Sequence, residues 1–65
     1  MYEFFIDLFR ASDKDHISLI VTATDPDVAS RAAEALHPGY EALTLFPTDV
    51  FVSQSDLEGL ERITA

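Results

Sequence analysis

The segment Tyr2–Arg10 alternates between two sets of side chains. The first set is apolar throughout: Tyr2, Phe4, Ile6 and Leu8. The second set interleaves acids with aromatic rings: Glu3, Phe5, Asp7 and Phe9. Alternation with a period of two, together with aromatic enrichment, predicts a β-strand here. A helix is the competing interpretation, because Phe5, Leu8 and Phe9 also fit helical spacing.

The next two segments predict a hairpin partner and a helix. Ala11–Asp15 is polar and turn-like, and His16–Ala23 is an alternating segment rich in β-branched residues, as expected for a second strand. Thr24–Leu36 follows, with Thr24 as the predicted N-cap and Pro26 in the first turn. Its apolar residues recur at helical spacing and are Val28, Ala29, Ala32, Ala33 and Leu36.

The C-terminal part of the chain predicts two more strands and a second helix. Tyr40–Phe46 reads as a third strand, and Val50–Ser53 reads as a short fourth strand after a turn at Pro47. Ser55–Glu58 has the pattern of a capping box. It predicts a short C-terminal helix whose apolar positions are Leu57, Leu60 and Ile63, and which Gly59 would weaken.

These elements predict one small α+β domain over residues 1–65, with the element order β-β-α-β-β-α. The sheet is expected to be small and mainly antiparallel, with the first helix packed on one of its faces. A right-handed crossover after the second strand would place the third strand beside the first. The expected strand order is therefore 2-1-3-4.

Size and composition narrow the class of protein further. A chain of 65 residues buries only about 60% of its unfolded surface, so its core is marginal. It has no cysteine, so disulfides cannot compensate. Association with a second copy or with a partner can compensate for the marginal core instead, and a homodimer is one expectation. The hydrophobic fraction of 48% argues against disorder despite the charge.

The charge is strongly one-sided, with 12 acids against four Lys and Arg and a net charge of -8. Phosphates and anionic membranes would repel such a chain, so direct binding to nucleic acid or to a membrane is not expected. Basic protein surfaces are the favoured partners. The sequence has no apolar run long enough to span a bilayer, and its acidic N-terminus does not resemble a secretory signal, so a cytoplasmic location is expected.

Six of the acids have a structural explanation, because carboxylates are favoured in turns and at helix starts. These are Asp13, Asp15, Asp25, Asp27, Asp56 and Glu58. Five others have no such explanation, and they are Glu3, Asp7, Glu34, Glu41 and Glu61. The candidate partner-binding residues are therefore Glu3, Phe5, Asp7 and Phe9 on one strand face, with Glu34 and Glu41 as additions.

This acidic and aromatic face would be open if the helix covered the opposite one. Exposed aromatic rings with charges between them suit a protein-binding surface. Two alternatives stay open. Phe5 and Phe9 could be buried beneath the C-terminal helix, or the face could form a homodimer.

Signals for catalysis, metals and cofactors are weak. His16 and His37 have no partner fixed by a motif, and no nucleophile motif surrounds any serine. The pair Asp13 and Asp15 and the pair Asp25 and Asp27 both lack the further oxygen ligands, the central glycine and the late glutamate of a calcium loop. No glycine-rich loop is present to hold a phosphate. The expectation is a protein that is not an enzyme and that has no metal and no cofactor.

The short acidic chain, with MYEFFIDLFR followed by HISLIVTATDPDVASRAAEAL, resembles small phage and mobile-element inhibitors such as anti-CRISPR and anti-restriction proteins. The resemblance lies in the general build of the chain, and no functional residue is transferred from it. It implies an inhibitor that docks on a basic, nucleic-acid-binding surface of a larger protein or complex. The alternative is a homodimeric structural or assembly module without an inhibitory role.

Overall fold

A long antiparallel hairpin forms the centre of the fold. The structure is a computed structural model, and it describes residues 1–50 and 57–65. Strand β1 (Tyr2–Arg10) pairs along its whole length with β2 (Asp15–Ala23). The strand interpretation of the first segment is therefore confirmed over the helical one. In the connecting turn, Lys14 adopts a left-handed conformation with φ 58°. The Asp13 carboxylate accepts the Asp15 N–H at 3.2 Å.

Helix α1 (Pro26–Leu36) follows β2 and carries the chain across the sheet to β3 (Glu41–Pro47). The predicted N-cap, Thr24, is wrong. Asp25 is the N-cap, because its backbone is extended and its Oδ1 accepts the Val28 N–H at 2.9 Å. Asp25 performs this role with Pro26 directly in the N1 position, where a missing N–H leaves no bond unmade.

The main core lies between α1 and one face of the sheet. This confirms the prediction of a helix packed on a single face. Its buried members are Phe4, Ile6, Leu8, Leu19, Val21, Ala23, Ala29 and Ala33. The helix contributes only alanines to this set, so its backbone can approach the strands closely. Val28 and Leu36, which also belonged to the predicted stripe, are exposed.

The predicted C-terminal helix is wrong. Glu61–Thr64 forms a strand, β4, which pairs with β2 in parallel. Gly59 has φ 83°, a left-handed conformation that interrupts a helix. Beyond it, Ile63 packs against the core, while Arg62 lies on the other face of the sheet. Pairing with β2 therefore outweighs the local capping pattern.

The sheet within the described residues has the strand order β3-β1-β2-β4. The predicted position of β1 between β2 and β3 is confirmed. The fourth strand of this sheet is not the predicted segment 50–53, because β4 is Glu61–Thr64 and lies at the edge beside β2. The sheet is mixed, since β1 is antiparallel to both neighbours and β4 is parallel to β2. The strand predicted at residues 50–53 falls mostly outside the described residues, and Val50 itself ends a 3-10 turn, Thr48–Val50.

Candidate functional site

The sheet face turned away from α1, here called the outer face, carries most of the predicted binding residues. Residues directly opposite each other on paired strands point to the same face. The strand register therefore arranges this face in rows across the sheet. One row is Glu41, Phe9 and His16; the next is Thr44, Asp7 and Ser18; a third is Phe46, Phe5, Ile20 and Arg62; a fourth contains Glu3, Thr22 and Thr64.

The outer face is covered at one end and open at the other. Ile20 is only 1% exposed, although its side chain points away from α1. Leu57 is also fully buried, outside the core that packs on α1. At the other end, His16, Glu41 and Thr44 are exposed, and Asp7 and Phe9 are partly exposed. We call this open group the Phe9 patch, and it consists of Asp7, Phe9, His16, Glu41 and Thr44.

Glu3 lies on the outer face but is occupied by contacts within the fold. Its Oε1 accepts a hydrogen bond from the Thr48 hydroxyl at 3.0 Å. Its Oε2 accepts a hydrogen bond from the Arg62 guanidinium at 2.8 Å. Glu3 thereby ties β1 to the 3-10 turn and to β4, which are far apart in sequence. Its charge is largely compensated inside the molecule.

Asp7 and Phe9 make weaker contacts and remain accessible. The Ser18 hydroxyl lies 3.4 Å from Asp7 Oδ1, and His16 Nδ1 lies 3.7 Å from Asp7 Oδ2, too far for a good hydrogen bond. The His16 and Phe9 rings lie 5.0 Å apart, centroid to centroid, with their planes 46° apart. The imidazole therefore touches the phenyl ring at a tilt and does not lie flat on it.

Phe5 sits in the neighbouring part of the outer face and stacks on Phe46 of β3. Their ring centroids are 5.2 Å apart and their planes differ by 29°. Stacking of two aromatic rings adds to the stability that burial of their area gives. Both side chains are partly buried. Phe5 therefore joins β1 to β3 as well as lining the face.

The two additional acids have different positions. Glu41 is the cross-strand neighbour of Phe9 and belongs to the Phe9 patch. Glu34 is on α1, on the other side of the sheet, and its Oε2 accepts the Ala42 N–H of β3 at 2.9 Å. This bond satisfies a backbone donor on an edge strand, which would otherwise be available for pairing with another chain. The structure thus brings together Asp7, Phe9 and Glu41 and separates Glu34 from them.

A second polar cluster, not predicted from the sequence, joins the start of β3 to the β1–β2 turn. The Arg10 guanidinium donates two hydrogen bonds to Asp13, at 2.9 and 2.6 Å, and lies 4.8 Å from the centroid of the Tyr40 ring. The Tyr40 hydroxyl donates to Asp15 at 2.5 Å. The only sequence signal was the proximity of Arg10 and Asp13, and Tyr40 is brought to them by the crossover.

These contacts shift the pKa values of three groups in the cluster. The hydrogen bond from Arg10 lowers the pKa of the Asp13 carboxyl and raises the pKa of the guanidinium itself. The hydrogen bond to Asp15 raises the pKa of Tyr40, because the phenol must keep its proton to donate it. A further pair, His37 Nε2 and Glu61 Oε1 at 2.8 Å, links the end of α1 to β4.

Within residues 1–50 and 57–65, no pocket is found and no group of three or more His, Cys, Asp or Glu side chains is placed to hold a metal ion. In the same part of the chain, no helix combines the length and apolar character needed to cross a membrane. Comparisons with protein-family models, with curated proteins and with solved structures found no match.

Proposed function

We propose that this chain is a small acidic protein-binding module that docks through the Phe9 patch on a basic surface of a larger protein or complex. This basic surface is one that binds nucleic acid. The docked acidic protein competes with nucleic acid for it and thereby inhibits the larger protein. The single observation that supports this most strongly is the open end of the outer face. There an accessible aromatic ring is flanked by two acidic side chains, Asp7 and Glu41.

The charge of the whole molecule supports the same proposal. A net charge of -8 on 65 residues produces a negative potential that accelerates encounters with basic partners. Aromatic residues are enriched in the centres of protein interfaces, where they anchor the contact. Phe9 is suited to the anchor, and Asp7 and Glu41 are suited to the surrounding polar contacts.

Affinity capture from the source cell tests the proposal with three baits: the wild type, Glu41→Lys and Asp27→Lys. The two variants have the same net charge, but Asp27 lies in the first turn of α1, away from the Phe9 patch. We expect the wild type and Asp27→Lys to retain the same protein, and Glu41→Lys to lose it. The dissociation constant of the wild-type complex should weaken as salt is raised.

Competition with nucleic acid tests the inhibitory part. The retained protein is expected to release its nucleic acid when the wild type is added, and to keep it when Glu41→Lys is added at the same concentration. Equal capture of the protein by all three baits, or a dissociation constant that does not change with salt concentration, would contradict docking through this patch.

The second candidate function is a homodimeric assembly module. The observation that favours it is Leu43, which is 56% exposed on the edge strand β3. Against it, a symmetric contact through the Phe9 patch would bring the acids of two copies together. Sedimentation at micromolar concentration separates the candidates: a clean monomer of 7.2 kDa excludes the dimer.

A further inference from the structure

The Phe9 patch has the chemistry to select arginine over lysine. We propose that the partner presents an arginine side chain to it, with the guanidinium stacked on the Phe9 ring and its N–H groups directed to Asp7 and Glu41. This inference rests on the proposed function, and it specifies the group on the basic surface that is recognised.

The strand geometry places the three side chains suitably. Asp7 and Phe9 are two residues apart on one strand, so they point to the same face about 6.7 Å from each other. Glu41 lies directly opposite Phe9 on β3, where opposite Cβ atoms are typically ~5 Å apart. The ring thus has a carboxylate on two sides, along the strand and across the sheet.

The carboxylates of the patch lack a strong cationic partner in the described residues. The Glu41 side chain makes no hydrogen bond or ion pair there, and the basic group beside Asp7 is His16, whose Nδ1 lies 3.7 Å from Asp7 Oδ2. By contrast, Glu3 at the covered end of the same face is paired with Arg62. A guanidinium from the partner would pair with the carboxylates at the open end, as Arg62 pairs with Glu3 at the covered end.

A related arrangement, with a tyrosine ring and one carboxylate, occurs within the chain. Arg10 lies 4.8 Å from the centroid of Tyr40 while it donates two hydrogen bonds to the Asp13 carboxylate. A planar guanidinium can stack on a ring and donate sideways to carboxylates at once, whereas an ammonium is a compact and strongly hydrated charge. The same difference would apply to a partner arginine on Phe9.

The experiment compares two probes: a flexible glycine–serine peptide carrying several arginines, and its counterpart with lysine at each of those positions. Titration at low salt, followed by NMR of the labelled protein, gives both affinities and the residues perturbed. We expect the arginine peptide to bind roughly two- to fivefold more tightly, the factor that an exposed cation–π contact provides. The largest shifts should occur at Asp7, Phe9 and Glu41.

Three substitutions separate the contribution of the Phe9 ring from that of the Glu41 charge. Phe9→Leu should make the two peptides bind equally, while Phe9→Tyr, which keeps the ring, should preserve the preference for arginine. Glu41→Gln should weaken both peptides and leave the fold intact, because Glu41 is exposed and unpaired among the described residues. Circular dichroism confirms that each variant is folded.

The outcomes distinguish this inference from the proposed function. If both peptides bind the wild type equally and the binding depends on salt, docking on basic surfaces stands and arginine selection is wrong. If the preference for arginine persists in Phe9→Leu, or if the shifts map to α1, the Phe9 patch is not the arginine site. Absence of binding by either peptide at low salt also overturns the inference.

Discussion

Glu3 and Glu41 are two acids on the same sheet face for which the structure predicts opposite roles. Replacing Glu3 by alanine removes an acceptor from the Thr48 hydroxyl, which belongs to a residue only 8% exposed, and removes the partner of Arg62. Replacing Glu41 by alanine removes no side-chain hydrogen bond or ion pair within the described residues, and Glu41 is exposed. Glu3→Ala should therefore reduce stability, and Glu41→Ala should reduce binding.

The magnitudes follow from the exposure of each contact. The Glu3–Arg62 pair is 37% and 50% exposed, so it contributes at the level of a surface pair, about 0.2–1 kcal/mol. Leaving the Thr48 hydroxyl without its acceptor costs a further ~1–3 kcal/mol. We expect a loss of about 2 kcal/mol for Glu3→Ala, a large part of the ~3–10 kcal/mol available to a domain of this size. Glu41→Ala should change stability by less than about 0.5 kcal/mol.

Urea denaturation, monitored by circular dichroism, measures both variants, with Glu3→Gln as the matched control. The amide keeps an acceptor for Thr48 but loses the charge that pairs with Arg62, so its loss should be smaller than that of alanine. If Glu3→Ala and Glu41→Ala have the same midpoint, the structural role assigned to Glu3 is refuted. An equal midpoint would also restore Glu3 as a candidate binding residue.

Three further predictions concern the helix cap and the polar cluster. Asp25→Ala should cost about 1 kcal/mol in the same urea assay and Thr24→Ala almost nothing, and the reverse result would reinstate Thr24 as the cap. The folded pKa of Asp13 is lowered, so its contribution to the free energy of unfolding is present above the unfolded pKa of about 4 and is lost as the pH falls through the folded pKa. Asp13→Asn should therefore make the free energy of unfolding less dependent on pH on the acid side. Because the folded pKa of Tyr40 is raised, its contribution is present below about pH 10 and is lost as the pH rises through the folded value; Tyr40→Phe should remove this alkaline step, and an unchanged step would contradict the assignment.

Local patterns in the sequence predicted the first half of the fold well. Two alternating segments joined by a polar turn gave the hairpin, and the alanine-rich stripe gave α1 and the face that it covers. The N-cap was displaced by one residue, because Thr24 and Asp25 are both good capping residues and the choice depends on backbone geometry at the helix start.

The C-terminal strand could not be predicted from local patterns, because its stability comes from a partner distant in sequence. Ser55–Glu58 resembles a helix start, but Gly59 adopts a left-handed conformation, and pairing of β4 with β2 leaves Ile63 partly buried against the core. Alternation of Arg62 and Ile63 between the two faces was the available sequence signal. In a segment this short, it does not distinguish a strand from a helix.

The candidate site was predicted only in part, because some of its contacts also come from residues distant in sequence. Alternation within β1 placed Glu3, Phe5, Asp7 and Phe9 on one face, which the structure bears out. Which of these acids is occupied depends on Thr48 and Arg62, which lie 45 and 59 residues from Glu3 and could not be associated with it from the sequence. The sequence also could not show that the face is covered near Ile20 and open near Phe9.

The most direct measurement of the central claim is an NMR footprint of the captured partner on the isotope-labelled protein. We expect the signals of Asp7, Phe9, His16 and Glu41 to shift or broaden, and those of α1, on the opposite side of the sheet, to stay unchanged. A footprint on α1 with the Phe9 patch unchanged would contradict docking through the Phe9 patch.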